Sequence, residues 1–151
     1  MSPTPQSQVE QPLGRIFTLL GKGYLHLLRT KLQHLDIDRY YYALLLIGSH
    51  EDEITQQELT LLLDSDKVSV VRMVDYLSEK GYVNRVRKTD DRRKQNLVLT
   101  EKAKLSIPEI KKSFAEMNEM VLNGLSGSQH AELYDIIAKV KTNIIENTHK
   151  I

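Results

Sequence analysis

Cysteine is absent from these 151 residues. With it go disulfides, thiolate metal sites, cysteine nucleophiles and thiol-based redox sensing. Long apolar runs are also missing. The longest, residues 40–47, falls far short of the roughly 20 residues that a membrane-spanning helix requires, so no membrane association is expected. The opening residues are polar, with Pro3, Pro5 and Pro12 but neither a basic start nor an apolar stretch. Residues 1–12 therefore read as a short flexible tail and not as a signal peptide, and a cytoplasmic location is the default expectation. The five histidines, His26, His34, His50, His130 and His149, form no His-x-x-x-His pair, and there is no Gly-rich phosphate loop. Nothing nominates a catalytic centre, a metal site or a cofactor, so the chain reads as something other than an enzyme.

What is present is ordinary in amount and uneven in placement. A hydrophobic share of 40% and a charged share of 27% suit a globular chain that builds its own core. The net charge of +1 hides a local excess. Residues 67–94 carry nine basic and four acidic side chains, a balance of +5, while the remainder carries 12 basic and 16 acidic, a balance of −4. One basic segment on an acidic chain is the footprint of a polyanion-binding surface, although a solvated charged face has the same composition.

The hydrophobic spacing is helical at both ends. Leu13, Ile16, Phe17, Leu20, Tyr24, Leu27 and Leu28 form one stripe of an amphipathic helix expected to run to about residue 35. Asp36-Ile37-Asp38 breaks it, and residues 40–47 predict a buried helix ended by Gly48. Thr55-Gln56-Gln57-Glu58 has the form of a capping box. It opens a short helix over residues 56–63, with Leu59, Leu62 and Leu63 expected inside. Asp64-Ser65-Asp66 interrupts this helix. Asp66 can then cap a second one over residues 67–80, with Val70, Val74 and Leu77 inside and Gly81 as its stop.

Two helices joined by three polar residues make a helix-turn-helix. Residues 82–88 and 95–100 follow as strands, the second with Leu97 and Leu99 alternating against Asn96 and Val98. They enclose the charged tip Thr89-Asp90-Asp91-Arg92-Arg93-Lys94, and a hairpin in that position is a wing. Thr100 can cap a long helix to about residue 125, with Leu105, Ile110, Phe114, Met117, Val121 and Leu125 on its apolar side. Pro108 is expected to kink or restart it. Ser128 or Gly127 starts a last helix carrying Leu133, Ile136, Ile137, Val140 and Ile144. The fold class is mainly α with a small β-hairpin wing.

A major groove about 12 Å wide accepts one α-helix. On the helix at residues 67–80, Lys67, Ser69, Val71 and Arg72 lie near the N-terminal, outward side. There Ser69 can reach a base edge or phosphate, Val71 a thymine methyl, and Arg72 a guanine or phosphate. Arg72 could equally pair with Asp75 or Glu79. At the wing tip, Arg92 and Arg93 can enter a minor groove, with Asp91 orienting a guanidinium; the same residues could make an ordinary ion pair in a solvated turn.

These segments resemble the MarR (multiple antibiotic resistance regulator) family. Gln56-Gln57-Glu58-Leu59 is similar to the start of its first helix-turn-helix helix. Ser69-Val70-Val71-Arg72-Met73-Val74-Asp75-Tyr76-Leu77 followed by Glu79-Lys80-Gly81-Tyr82-Val83 is similar to its recognition helix and exit. Asp91-Arg92-Arg93 and then Leu99-Thr100-Glu101-Lys102 resemble the wing closing into the next helix. Asp64 and Ser65 depart from the glycine and apolar residue more usual in the turn, Val71 from a hydroxyl residue, and Ala103 from a glycine.

The resemblance implies a winged helix-turn-helix flanked by N- and C-terminal dimerisation helices. In that arrangement residues 13–38 and 101–151 dimerise and residues 39–100 form the DNA-binding lobe. Asp91 then braces the wing, and Arg93 reaches the minor groove. The implied function is a transcriptional regulator, commonly a repressor. It would bind double-stranded DNA as a homodimer at a pseudo-palindromic operator, with helix 67–80 in the major groove and wing 83–99 in the minor groove. Half-sites would lie about 10 bp apart. A small-molecule effector is also implied, with Tyr24, His26, Tyr41 and Tyr42 as candidate contacts, although core packing is the commoner role of such side chains. The alternative function is a winged-helix protein-interaction module without specific DNA binding.

Overall fold

The computed structural model describes residues 10–51, 53–87 and 94–149. The chain divides into two compact units, Met1–Ala115 and Glu116–Ile151. Among the described residues no helix is long and apolar enough to cross a membrane.

In the first unit, α1 (Leu13–Lys31) ends earlier than its sequence stripe suggests. The Leu35 amide closes on the Leu32 carbonyl in a tighter turn, because Leu32 and Ile37 must both enter the core. Helix α2 (Tyr41–Ser49) is apolar almost throughout and buries Tyr41, Ala43, Leu44 and Ile47. Gly48 does not end it, as the sequence suggested, but lies inside it. A Cβ there would come within 3.0 Å of Leu99 Cδ1, so the glycine serves close packing of helix on strand.

The helix-turn-helix follows as α3 (Gln56–Leu62) and α4 (Lys67–Glu79). The sheet has three strands, one more than expected. The pair β1 (Ile54–Thr55), only two residues long, adds to the hairpin of β2 (Val83–Val86) and β3 (Asn96–Leu99), in the order β1-β3-β2. All pairings are antiparallel, and Leu97 stands opposite both Ile54 and Arg85. Leu97 and Leu99 are buried as their alternation required.

Two inner faces differ from expectation. On α3 only Leu59 is buried, and Leu62 is exposed, because a helix of seven residues touches the core along one turn. On α5 (Glu101–Val121) Leu105 is 81% exposed and Val121 is exposed, as is Leu125 beyond the end of the helix, which stops short of the expected residue 125. Ile110 is buried as expected, and Ala103, Ser106 and Ser113 join it in the buried stripe within the first unit, at steps of three and four. The Ser106 hydroxyl donates to the Lys102 carbonyl of its own helix and so is satisfied on the buried side. The helix also runs through Pro108 without a restart. Its first turns are tied down by the Thr100 cap on the Ala103 amide and by Lys102, so packing outweighs one lost backbone bond.

The second unit holds the end of α5 and α6 (Gly127–Thr148). The cap of α6 is Ser126, in a capping box with Gln129, and not Ser128 or Gly127. Ile136, Ile137 and Ile144 remain exposed on it.

Leu97 is fully buried at the centre of the sheet. Leu97→Ala should cost about 3 kcal/mol in urea unfolding. A loss below about 1 kcal/mol would show that the middle strand is not a core element.

Candidate nucleic-acid interface

The site is assembled by local chemistry at each helix start. Thr55 Oγ1 accepts from the Glu58 amide at 3.2 Å, and the Glu58 carboxylate accepts from the Thr55 amide at 2.7 Å. The Thr55 amide and then the Thr55 hydroxyl, which also donates to that carboxylate, hold the Glu58 carboxyl below its ordinary value. In the turn, Asp64 adopts a left-handed φ of 47°, the conformation that a glycine would otherwise supply. Asp66 then caps α4, accepting from the Ser69 amide at 2.8 Å and the Ser69 hydroxyl at 2.6 Å. Val70, Val74 and Leu77 anchor α4, as their spacing predicted. At its end Gly81, with φ 80°, turns the chain so that the Tyr82 amide reaches the Leu77 carbonyl.

With that stripe inward, helical geometry sends Val68, Arg72, Asp75 and Glu79 to the opposite side. Lys67, Ser69 and Arg72 are exposed, and Val71 is half-buried. Ser69 spends its hydroxyl proton on Asp66, which leaves it an acceptor towards any ligand. Arg72 has no ion pair among the described residues. Asp75, one of its two sequence-predicted partners, pairs with Arg85 at 2.6 Å. Asp91, Arg92 and Arg93 lie outside the described residues. Sequence reasoning passed over Val68, which is 60% exposed on α4, and over Arg85. The Nη2 of Arg85 also donates to Gln56 Oε1 at 3.2 Å, and both residues line an open cleft of about 560 Å³ with Lys94 and Gln95. The signal for Arg85 was its position two residues after Val83, on the inward face of a strand.

A second set of bonds ties the loop before α2 to the exit of α4. The Tyr76 hydroxyl donates to Asp38 at 2.8 Å, and the Tyr82 hydroxyl donates to Asp36 at 2.7 Å. Lys102 Nζ donates to Asp36 at 2.8 Å and to the Lys80 carbonyl at 2.9 Å. Arg39 lies over the Tyr40 and Tyr76 rings, 5.1 and 5.3 Å from their centroids. Tyr76, Tyr82 and Lys102 lie 38 to 66 residues from the aspartates they bond, beyond the reach of any local pattern.

The four candidate effector residues are dispersed in role. Tyr24 stacks on Phe114 with centroids 6.4 Å apart. Tyr41 is buried, its hydroxyl donating to the Ile37 carbonyl. Tyr42 and His26 are exposed. Of the four, only Tyr41 borders a cleft of about 480 Å³ whose walls include Arg29, Asp38, Arg39, Tyr76 and Lys80. Among the described residues no cluster of three His, Asp or Glu side chains is arranged to hold a metal ion.

The Lys102 and Tyr82 hydrogen bonds hold the Asp36 carboxyl below its ordinary value of 3.8, while burial and Asp36 push the Tyr82 hydroxyl above 10.0. A depressed carboxyl stabilises the fold above its unfolded value and loses that contribution as pH falls through the folded one. A raised phenol stabilises below its unfolded value and loses the contribution as pH rises towards the folded one. Unfolding free energy should therefore fall below about pH 4 and above about pH 10. Asp36→Asn should flatten both limbs relative to the parent chain, and unchanged limbs would show that the pair does not couple to folding.

Residues 37–94 match the model of the MarR family. The chain is similar to a MarR transcriptional regulator from Methanosarcina mazei Go1, at 27% identity over 89% of this chain and 96% of that one, with a TM-score of 0.75. It is also similar to a cysteine-to-serine mutant of MarR from E. coli complexed with operator DNA, at 27% identity over 85% and 93% of the two chains, TM-score 0.76. A putative MarR family regulator from Listeria monocytogenes, complexed with a 26mer DNA, shares the fold at 21% identity over 92% of each chain, TM-score 0.79.

Proposed function

We propose that the chain is a member of the MarR family, whose model matches residues 37–94, and a sequence-specific regulator of transcription that binds double-stranded DNA. The observation that carries this reading is α4 itself: a capped helix anchored by Val70, Val74 and Leu77, with Lys67 and Arg72 exposed and Arg72 not drawn into an ion pair among the described residues. The relative from E. coli was solved on operator DNA. In this reading α4 enters the major groove, where Lys67 meets phosphate and Arg72 a base edge, with Ser69 and Val71 beside them. Asp91, Arg92 and Arg93 form the wing contact in the minor groove. The role is regulation and not catalysis, since the family is one of transcriptional regulators; repression in the cytoplasm is its expected form.

A homodimer completes the proposal. Leu13, Phe17 and Leu20 on α1 are exposed, and so are Ile136, Ile137 and Ile144 on α6. Unpartnered apolar stripes of this size favour burial against a second copy. Residues 13–38 and 101–151 would supply the dimer contacts and residues 39–100 the DNA-binding lobe. A ligand near Tyr24, His26, Tyr41 or Tyr42 would release DNA only by favouring one spacing of the two recognition helices over the other.

Anisotropy titrations against the duplex upstream of the chain's own gene, at several salt concentrations, test the assignment. Lys67→Ala should reduce the slope of log affinity on log salt by about 1 and weaken all duplexes alike. Arg72→Ala should cost about 1–3 kcal/mol and relax preference at one base position. Both variants binding like the parent chain would remove α4 from the interface.

A further inference from the structure

Arg85 belongs by sequence to the basic segment, yet its surroundings differ from those of Lys67 and Arg72. It stands opposite Leu97 in the sheet and two residues from buried Val83, so its side chain leaves β2 on the core-facing side. It is less exposed there than Asp75, 29% against 59%. One nitrogen, Nη2, gives one proton to Asp75 on α4 and the other to Gln56 at the first position of α3. A single guanidinium thus joins the recognition helix, the helix before it and the strand that follows. A lysine ammonium has protons enough for both acceptors, but its stem ends one bond short of Nη2 and it does not hold its donors in a fixed plane, so it does not reproduce the geometry.

Asp75 gains from the arrangement as well. It lies on the outward side of α4 with Arg72, where a free carboxylate would repel a phosphate backbone. Pairing with Arg85 neutralises it. We infer that Arg85, Asp75 and Gln56 form a positioning unit that fixes α4 against α3 and the wing strand, and that Asp75 promotes specific DNA binding although it is an acid on the DNA-facing helix. This rests on the DNA-binding reading above.

The sign of one substitution separates this from the simpler view that Arg85 is one more cation for phosphate. If Arg85 only contributed charge, Asp75→Asn would remove a repulsive carboxylate and strengthen binding to every duplex. In a positioning unit, Asp75→Asn weakens the duplex selected by the parent chain about tenfold, while binding to random duplex stays equal or tightens. Arg85→Gln gives a similar loss on the selected duplex. The double variant loses no more than either single one, because the two act as a unit. Arg85→Lys restores the salt slope but not the selectivity.

Asp75→Asn tightening selected and random duplexes together, or single losses that multiply in the double variant, would overturn the proposal. Thermal melts accompany each titration. If an Asp75 or Arg85 variant does not fold, Gln56→Ala gives the same reading, a loss of selectivity at constant salt slope. Hydrogen exchange in the DNA-free chain supplies a separate arm. Arg85→Gln should speed exchange at residues 54–58 and 83–87 and leave the middle of α5 unchanged; no change at either segment would refute the tie itself. A parent chain that prefers no duplex would instead defeat the DNA-binding reading, while the exchange experiment still decides whether the unit holds the three elements together.

Discussion

Burial of Leu97 and Leu99 on the middle strand is the constraint from which the DNA-binding lobe takes its geometry. Because Leu97 must face the core, β1 can pair only in the register that sets Ile54 beside it, and Thr55 then falls at the N-cap of α3. On the other side the same residue fixes β2, which leaves α4 through Gly81. A slip of one residue would turn every side chain of the strand to the wrong face. The start of one helix and the exit of the other are thus suspended from one buried leucine pair.

Polar chemistry refines what burial makes approximate. The helices of the motif start at side-chain caps, Thr55 with Glu58 and Asp66 with Ser69, so their first turns do not depend on DNA for their hydrogen bonds. Asp36 and Asp38 reach across from the loop before α2 to Tyr82 and Tyr76 at the exit of α4. Most of these groups are partly exposed, and each bond is individually weak in water. Their value is directional, since they fix angles between elements that apolar contact alone would leave loose.

The elements legible in the sequence were those whose signal is local. The capping box at Thr55, the Asp66 cap, the stripe of Val70, Val74 and Leu77 and the alternation of Leu97 and Leu99 each lie within one turn or one strand, and each appears in the structure as its spacing implied. What escaped depends on distant partners. The strand β1 is two residues long, too short to show a period, and exists because Leu97 offers it an edge. Leu105 has the residue type of a core position yet lies on the exposed side of α5, whose buried side carries the small residues Ala103, Ser106 and Ser113. Arg85 was counted with the other cations because charge is visible in a sequence and a partner is not.

The most direct measurement is a selection from a random duplex library with this chain at physiological salt, followed by sequencing of what it retains. A sequence-specific dimeric regulator should enrich a pseudo-palindrome whose two half-sites lie about one helical turn, 10 bp, apart. A retained pool no different from the input would contradict DNA recognition by α4, and an enriched single half-site would contradict the dimer.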